Sequence, residues 1–168
     1  MTRQRIVTYD SPILRKHCEP VAEINDKVKE LVASMLATLK RAKGLGLSAP
    51  QVGVNSRVFV LDLSSVSLDF ETMAFINPEI LETEGEQTGE EGCLSFPGLF
   101  LEIPRPDRVV IEFTDRQGER KEIVAEGLTA RAIMHENDHL NGKLFIDYLT
   151  PGDREMISGK LKKIKAAS

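Results

Sequence analysis

The sequence predicts an α+β fold, with antiparallel β-sheets packed around one central late helix, an N-terminal helix and a short C-terminal helix. Three observations predict it. Apolar residues recur at spacings of three and four between residues 25 and 43. Short runs rich in valine, isoleucine and phenylalanine follow one another through the middle of the chain. A second helical stretch comes late, around residues 130–140. A helix, then strands, then a helix is the order of segregated elements, not of alternating βα units. A length of 168 residues suits one domain, 1–168, large enough for a core without covalent staples.

Each element has a local reason. Asn25 or Asp26 can cap the first helix, which runs to about Lys43. Its Val28, Leu31, Val32, Met35, Leu36 and Leu39 form a buried stripe. Strands are predicted at Val58–Asp62, Ala74–Leu81, Leu99–Ile103, Val109–Thr114 and Lys121–Ala125. Asp115-Arg116-Gln117-Gly118 reads as the hairpin turn between the last two. Ser64–Phe70 reads as an exposed loop, and the acidic Glu82–Glu91 as a solvated connection leading to Cys93. The late helix follows Gly127-Leu128-Thr129, with Thr129 as its N-cap and Gly142 as the left-handed residue that ends it. Leu128, Ala132, His135 and His139 then share one face. Residues Met156–Lys165 read as a short amphipathic helix with Met156, Ile157, Leu161 and Ile164 inward, made basic by Lys160, Lys162, Lys163 and Lys165.

Composition narrows the function classes. A net charge of -4 gives no reason to expect DNA or general nucleic-acid binding. Two cysteines in unlike contexts do not suggest a disulfide framework. Residues Met1–Thr8 lack the apolar core of a secretion signal, and no apolar run approaches a membrane span. The expectation is a soluble cytoplasmic protein with no membrane partner.

The segment that carries chemistry is His135-Glu136-Asn137-Asp138-His139. Histidines four residues apart stack on one helical face and can hold one metal ion, and the glutamate beside the first can move protons on a bound water. The alternative is a solvated helix face with incidental histidines. The chain has three histidines in all, and two of them fall in this register. A catalytic site needs a third protein ligand and an open position. The longer protease pattern would place a histidine where Phe145 stands; His17 lies far upstream, and Glu155 follows Pro151-Gly152-Asp153, a poor place for a rigid ligand helix. That leaves cysteine. A small buried hydrophobe is the reading for Cys18, and it competes for Cys93 until its neighbourhood is weighed. As a ligand, Cys93 completes a Cys/His/His set.

Three blocks, read together, resemble the signature motifs of the peptide deformylase family. They are Gly44-Leu45-Gly46-Leu47-Ser48-Ala49-Pro50-Gln51, then Glu91-Gly92-Cys93-Leu94-Ser95, then His135-Glu136-Asn137-Asp138-His139-Leu140-Asn141-Gly142, in the family's order. The resemblance extends from Asp10 to Leu149. It implies a hydrolase that removes the formyl group from the N-terminal formyl-methionine of nascent polypeptides and releases formate. One divalent ion would be held by Cys93, His135 and His139: iron(II) in the cell, with zinc, nickel or cobalt in purified protein. Hydroxide on that ion would attack the formyl carbonyl with Glu136 as general base and acid. The Gln51 amide and the Leu94 backbone N–H would stabilise the oxyanion, and Leu45, Gly46 and Gly92 would pair with the peptide backbone. The resemblance also sets Arg105 and Asp138 together beneath the metal-binding helix, as an outer pair that orients the ligands. Through some bacterial relatives it raises contact between the basic C-terminal tail and the ribosome; a plain solvated face is the simpler reading.

The chain departs from the family at two places. Ser48 stands where a second alanine is common, and serine is small enough that little change is expected. Met134 stands where glutamine is common, and methionine cannot replace an amide hydrogen bond. Before Gln51, Pro50 restricts the backbone and favours an extended Ala49. Gly44-x-Gly46-x-x-Ala49 is not a dinucleotide loop, because it follows a helix and precedes a strand. The competing functions are a metalloendopeptidase using the same two histidines and glutamate, and an idle metal- or peptide-binding module. Cys93 argues against the first, and the presence of both Glu136 and Gln51 argues against the second.

Overall fold

The computed structural model describes residues 4–66 and 71–167. The first helix, α1 (Asp26–Ala42), begins where the Asn25 side chain accepts a hydrogen bond from Val28 N–H at 3.1 Å. Seven strands follow among the described residues: β1 (Gly46–Ser48), β2 (Val58–Leu61), β3 (Met73–Glu84), β4 (Gln87–Cys93), β5 (Phe96–Arg105), β6 (Arg108–Thr114) and β7 (Arg120–Glu126). They form a five-stranded antiparallel sheet in the order β1-β2-β3-β6-β7 and a separate β4-β5 hairpin. The late helix is α2 (Gly127–Leu140), and the tail holds α3 (Pro151–Met156) and α4 (Ser158–Ala167). No helix among the described residues is long and apolar enough to cross a membrane.

Around β2 the five-stranded sheet is covered on both faces. All four residues of β2 are buried, as a strand between two layers requires. Val58 and Val60 face α1, where Val32, Met35 and Leu39 meet them. Phe59 and Leu61 face the other way, toward Ala130 and Ile133 of α2. Phe59 stacks on its cross-strand partner Phe75, with ring centroids 4.5 Å apart. Burying each large stripe residue of α1 is worth roughly 1.5–3 kcal/mol, so packing holds this helix more firmly than its intrinsic propensity does. A third core joins β5 to the tail through Phe96, Leu99 and Ile103 against Phe145, Leu161 and Ile164.

Several expectations need correction. The acidic stretch 82–91 is not a solvated connection: Glu82–Glu84 end β3, and Gln87–Cys93 is β4. Its side chains alternate outward and inward, and the inward Glu91 is buried against arginines. Helix α2 starts at Gly127, with Glu126 at the N-cap, so Thr129 lies inside the first turn. Gly127 has φ +57°, a left-handed turn that takes the chain out of β7 directly into the helix. At the other end Gly142 is left-handed as expected. A Cβ there would sit 2.6 Å from the Arg15 carbonyl oxygen, so the absent side chain also admits the N-terminal segment.

The extended residue before Gln51 is Ser48, and Ala49 already belongs to a 3-10 helix, Ala49–Val52. Pro151-Gly152-Asp153 is helical after all, capped by Thr150, but Glu155 on it is exposed. In the tail Leu161 and Ile164 are buried, whereas Met156 is 84% exposed. The break between α3 and α4 turns Met156 outward. In the expected loop, Ser64–Val66 form an exposed turn and residues 67–70 lie outside the described residues.

Candidate metal centre

Helix α2 is buried along most of its length, including its polar residues. His135 and His139 lie one turn apart with ring centroids 5.1 Å apart. Opposite them, Cys93 ends β4 at a register shift between Gly92 and Cys93. Its Sγ lies 3.4 Å from His139 Nε2. The ligand atoms of Cys93, His135 and His139 all fall within 4.8 Å of one another. His17 is exposed and takes no part in this group, and Cys18 is a buried hydrophobe whose thiol is pushed up mainly by burial.

Beneath the histidines lies a charge network that the sequence reading found only in part. His135 Nδ1 faces Glu91 Oε2 at 2.7 Å, leaving its other ring nitrogen for an ion. Glu91 also accepts from Arg105 Nε at 2.6 Å, Arg105 Nη2 at 2.9 Å and Arg131 Nη1 at 2.9 Å. Burial alone would raise the Glu91 carboxyl; Arg105 and His135 outweigh it and hold the group at about 2. Arg105 does meet Asp138, Nη1 to Oδ2 at 2.7 Å, and Tyr148 donates its hydroxyl to the same oxygen at 2.6 Å. The Arg105 guanidinium lies 4.9 Å over the Tyr148 ring. Burial, then the bond to Asp138, pushes the Tyr148 phenol up to about 12.

The two histidines are driven apart electrostatically. Burial would lower His135, but the Cys93 sulfur, Glu91 and Glu136 outweigh it and raise this imidazole well above its usual range. Burial and the neighbouring His135 push His139 well below. Glu136 is 4% exposed, and burial raises its carboxyl to about 7. Its Oε1 has no hydrogen-bond partner among the described residues, and neither has His139 Nδ1. A thiol and two imidazoles are a donor set that fits a divalent ion such as zinc or iron(II), and the carboxylate beside them has an oxygen without a partner among the described residues.

A cavity of about 600 Å³ opens onto this group. The predicted residues Leu45, Gly46, Gly92, Cys93, Leu94, His135 and Glu136 line it, and so do Leu128 and Phe100, both exposed at 42% and 61%. Leu128 thus sits on the cavity wall with Ala132 and His135 of the same helical face. A Cβ on Gly46 would come 2.7 Å from Glu136 Oε2, so the missing side chain makes room for the carboxylate. Gln51 is 1% exposed and meets the site beside Cys93, with Nε2 3.6 Å from the sulfur and 3.0 Å from Ser95 Oγ.

Glu91, Arg131 and Tyr148 are the residues that sequence reasoning missed as partners of the site. Strand alternation carried a signal for Glu91, since residues i and i+2 of a strand share a face and Cys93 is two residues on. Arg131, four before His135 on α2, carried the helical equivalent.

A model of the polypeptide deformylase family matches residues 3–155. The peptide deformylase of Endomicrobium trichonymphae is 45% identical over 167 residues, which cover 99% of this chain and 98% of that one. Among solved structures, a peptide deformylase from Legionella pneumophila superposes with a TM-score of 0.92 at 39% identity, covering 99% of this chain and 97% of that chain. A peptide deformylase from Ehrlichia chaffeensis, solved in complex with actinonin, has a TM-score of 0.91 at 34% identity, covering 100% and 99%.

Proposed function

This chain belongs to the polypeptide deformylase family, and from that premise we propose that it removes the formyl group from the N-terminal formyl-methionine of nascent polypeptides, releasing formate. The observation that carries the reading is the convergence of Cys93, His135 and His139 beside a buried, unpartnered Glu136 at a glycine-walled cavity. An ion held by those three donors would supply a Lewis acid that makes water nucleophilic near neutral pH and polarises the formyl carbonyl.

The chain's own groups do the rest. Glu136 takes the proton of the attacking water and later passes one to the leaving amine. A carboxyl raised to about 7 is matched to both tasks. Gln51 Nε2 and the Leu94 backbone N–H donate to the formyl oxygen as it gains negative charge; one such donor is typically worth ~3 kcal/mol of barrier. The peptide backbone lies as an added strand between Leu45-Gly46 and Gly92. Strand β1 is an edge of the five-stranded sheet, so one side of it has no paired strand among the described residues. Backbone pairing reads no side chain, which suits a substrate whose residues after methionine vary. Arg105 and Asp138, with Glu91 between Arg105 and His135, hold the ligand helix in place.

Iron(II) is the resident ion of the cell in this reading, and the same donors accept zinc, nickel or cobalt. The cytoplasm is the compartment, where formylated peptides arise and the free Cys18 and Cys93 stay reduced. Contact of the basic tail with the ribosome is a secondary reading; Lys160, Lys162 and Lys163 are exposed on α4. Co-sedimentation with ribosomes that survives their replacement by glutamate would reject it.

Formate release from formyl-Met-Ala-Ser by anaerobically purified, metal-analysed protein tests the main reading. The expected result is one formate per peptide, with acetyl-Met-Ala-Ser and internal peptide bonds untouched. Glu136→Gln should retain the metal and lose at least about 100-fold in kcat. Cleavage of internal bonds alone points to an endopeptidase, and peptide binding without formate to a binding module.

A further inference from the structure

Small size is not the only property that Ser48 brings to the site. The side-chain amide of Gln51 has four hydrogen-bonding places, two N–H donors and two lone pairs on Oε1. The protein occupies three of them with nitrogen or oxygen partners and the fourth with sulfur. Ser48 backbone N–H donates to Gln51 Oε1 at 3.0 Å, and the Ser48 hydroxyl donates to the same oxygen at 3.0 Å. Gln51 Nε2 donates one proton to Ser95 Oγ at 3.0 Å. The remaining N–H faces Cys93 Sγ at 3.6 Å. Sulfur is a weak acceptor, so this is the proton free to leave for an oxygen arriving beside it.

The surroundings are rigid and dry. Ser48, Gln51 and Ser95 are 0%, 1% and 0% exposed, so solvent does not compete for these bonds. Ser48 ends β1 and is the N-cap of the 3-10 helix that carries Gln51, which fixes the two side chains three residues apart on one turn. Turning the amide over would set Nε2 against the Ser48 backbone N–H, donor against donor, and would force the Ser48 hydroxyl from donor to acceptor.

The geometry points to Ser48 as a positioning residue for the reaction: its backbone N–H sets which way the Gln51 amide faces, and its hydroxyl adds a second bond that holds it there, so that one N–H is presented beside Cys93. This rests on the proposed deformylation and deepens it. The hydroxyl also polarises the amide, since hydrogen bonds in a chain strengthen one another. An alanine at position 48 leaves the backbone N–H as the single bond at Oε1.

A double-mutant cycle tests it, with zinc-loaded wild type, Ser48→Ala, Gln51→Ala and the pair, on formyl-Met-Ala-Ser. Ser48→Ala should lower kcat about three- to ten-fold with KM unchanged, the loss expected for one hydrogen bond felt in the transition state. In the Gln51→Ala background the same substitution should change kcat by less than about two-fold, because its partner is gone. Solvent exchange of the Gln51 side-chain amide protons, followed by NMR in the zinc-loaded protein without substrate, should speed up at least about five-fold in Ser48→Ala. Unchanged kcat in Ser48→Ala, an equal loss in both backgrounds, or full activity of Gln51→Ala would each overturn the assignment. If wild type releases no formate while the amide protons still respond to Ser48→Ala, the deformylase reading fails and the Ser48–Gln51 contact stands.

Discussion

Arg105→Ala is the perturbation that asks most of the network beneath the metal helix. The Arg105 side chain is 1% exposed and donates three bonds to carboxylates, at 2.6 and 2.9 Å to Glu91 and 2.7 Å to Asp138. Removing it leaves two buried carboxylates with reduced compensation. Breaking a buried ionic group in this way typically costs about 3–5 kcal/mol. Arg131 still holds Glu91 and Tyr148 still holds Asp138, so the lower end of that range applies here. Against a total stability of roughly 5–15 kcal/mol for a domain this is a large fraction, and it corresponds to a fall in Tm of roughly 6–12 °C. His135 should also lose orientation, because Glu91 is the acceptor that fixes its ring. Losing an outer partner of this kind typically weakens metal binding ~10- to 100-fold. Urea unfolding of chelator-treated protein reads the first effect free of metal linkage, and competition for zinc with a chromophoric chelator reads the second. Arg15→Ala is the control: its pair with Asp147 is 44% and 25% exposed, and such pairs are worth about 0–1 kcal/mol. Should Arg105→Ala unfold within about 1 kcal/mol of wild type and hold zinc as tightly, the network is not what supports the ligand helix.

Two further outcomes are expected. Gly46→Ala should lower kcat and stability together, since the new Cβ would meet Glu136 Oε2 at 2.7 Å and Leu61 Cδ2 at 2.9 Å; steady-state kinetics and a thermal melt check both, and an unaffected enzyme would show that the strand moves aside cheaply. Tyr148→Phe tests pH dependence: the phenol is raised from 10 to about 12, so its stabilising bond is fully present below pH 10 and lost as pH rises through about 12. The difference in unfolding free energy between wild type and Tyr148→Phe should hold steady up to about pH 10 and close toward pH 12, lysines cancelling because both proteins carry them. A difference that persists at pH 12 would contradict the raised phenol.

How far the chain was legible from its residues depends on how far apart the interacting groups lie. Helical and strand periodicities are local, so the sequence by itself determined α1 with its stripe, β2, β6 and β7, the placing of His135 and His139 on one helical face, and the acid-base candidate between them. Elimination of other ligands left a cysteine, and the resemblance to the peptide deformylase motifs pointed to Cys93. The acidic stretch before it misled, because a run of glutamates reads as solvated unless buried arginines elsewhere receive one of them. Only the tertiary structure decided that Glu91 turns inward, since its partners Arg105, Arg131 and His135 lie 14, 40 and 44 residues away. Position in space likewise put Gln51 beside the sulfur and bound Ser48 to its amide. It turned Met156 into solvent and left β1 on an open sheet edge. The physical reason is common to all of these. A side chain's local pattern records which face it shares with its neighbours, whereas its charge state and partners are settled only when distant segments exclude water around it.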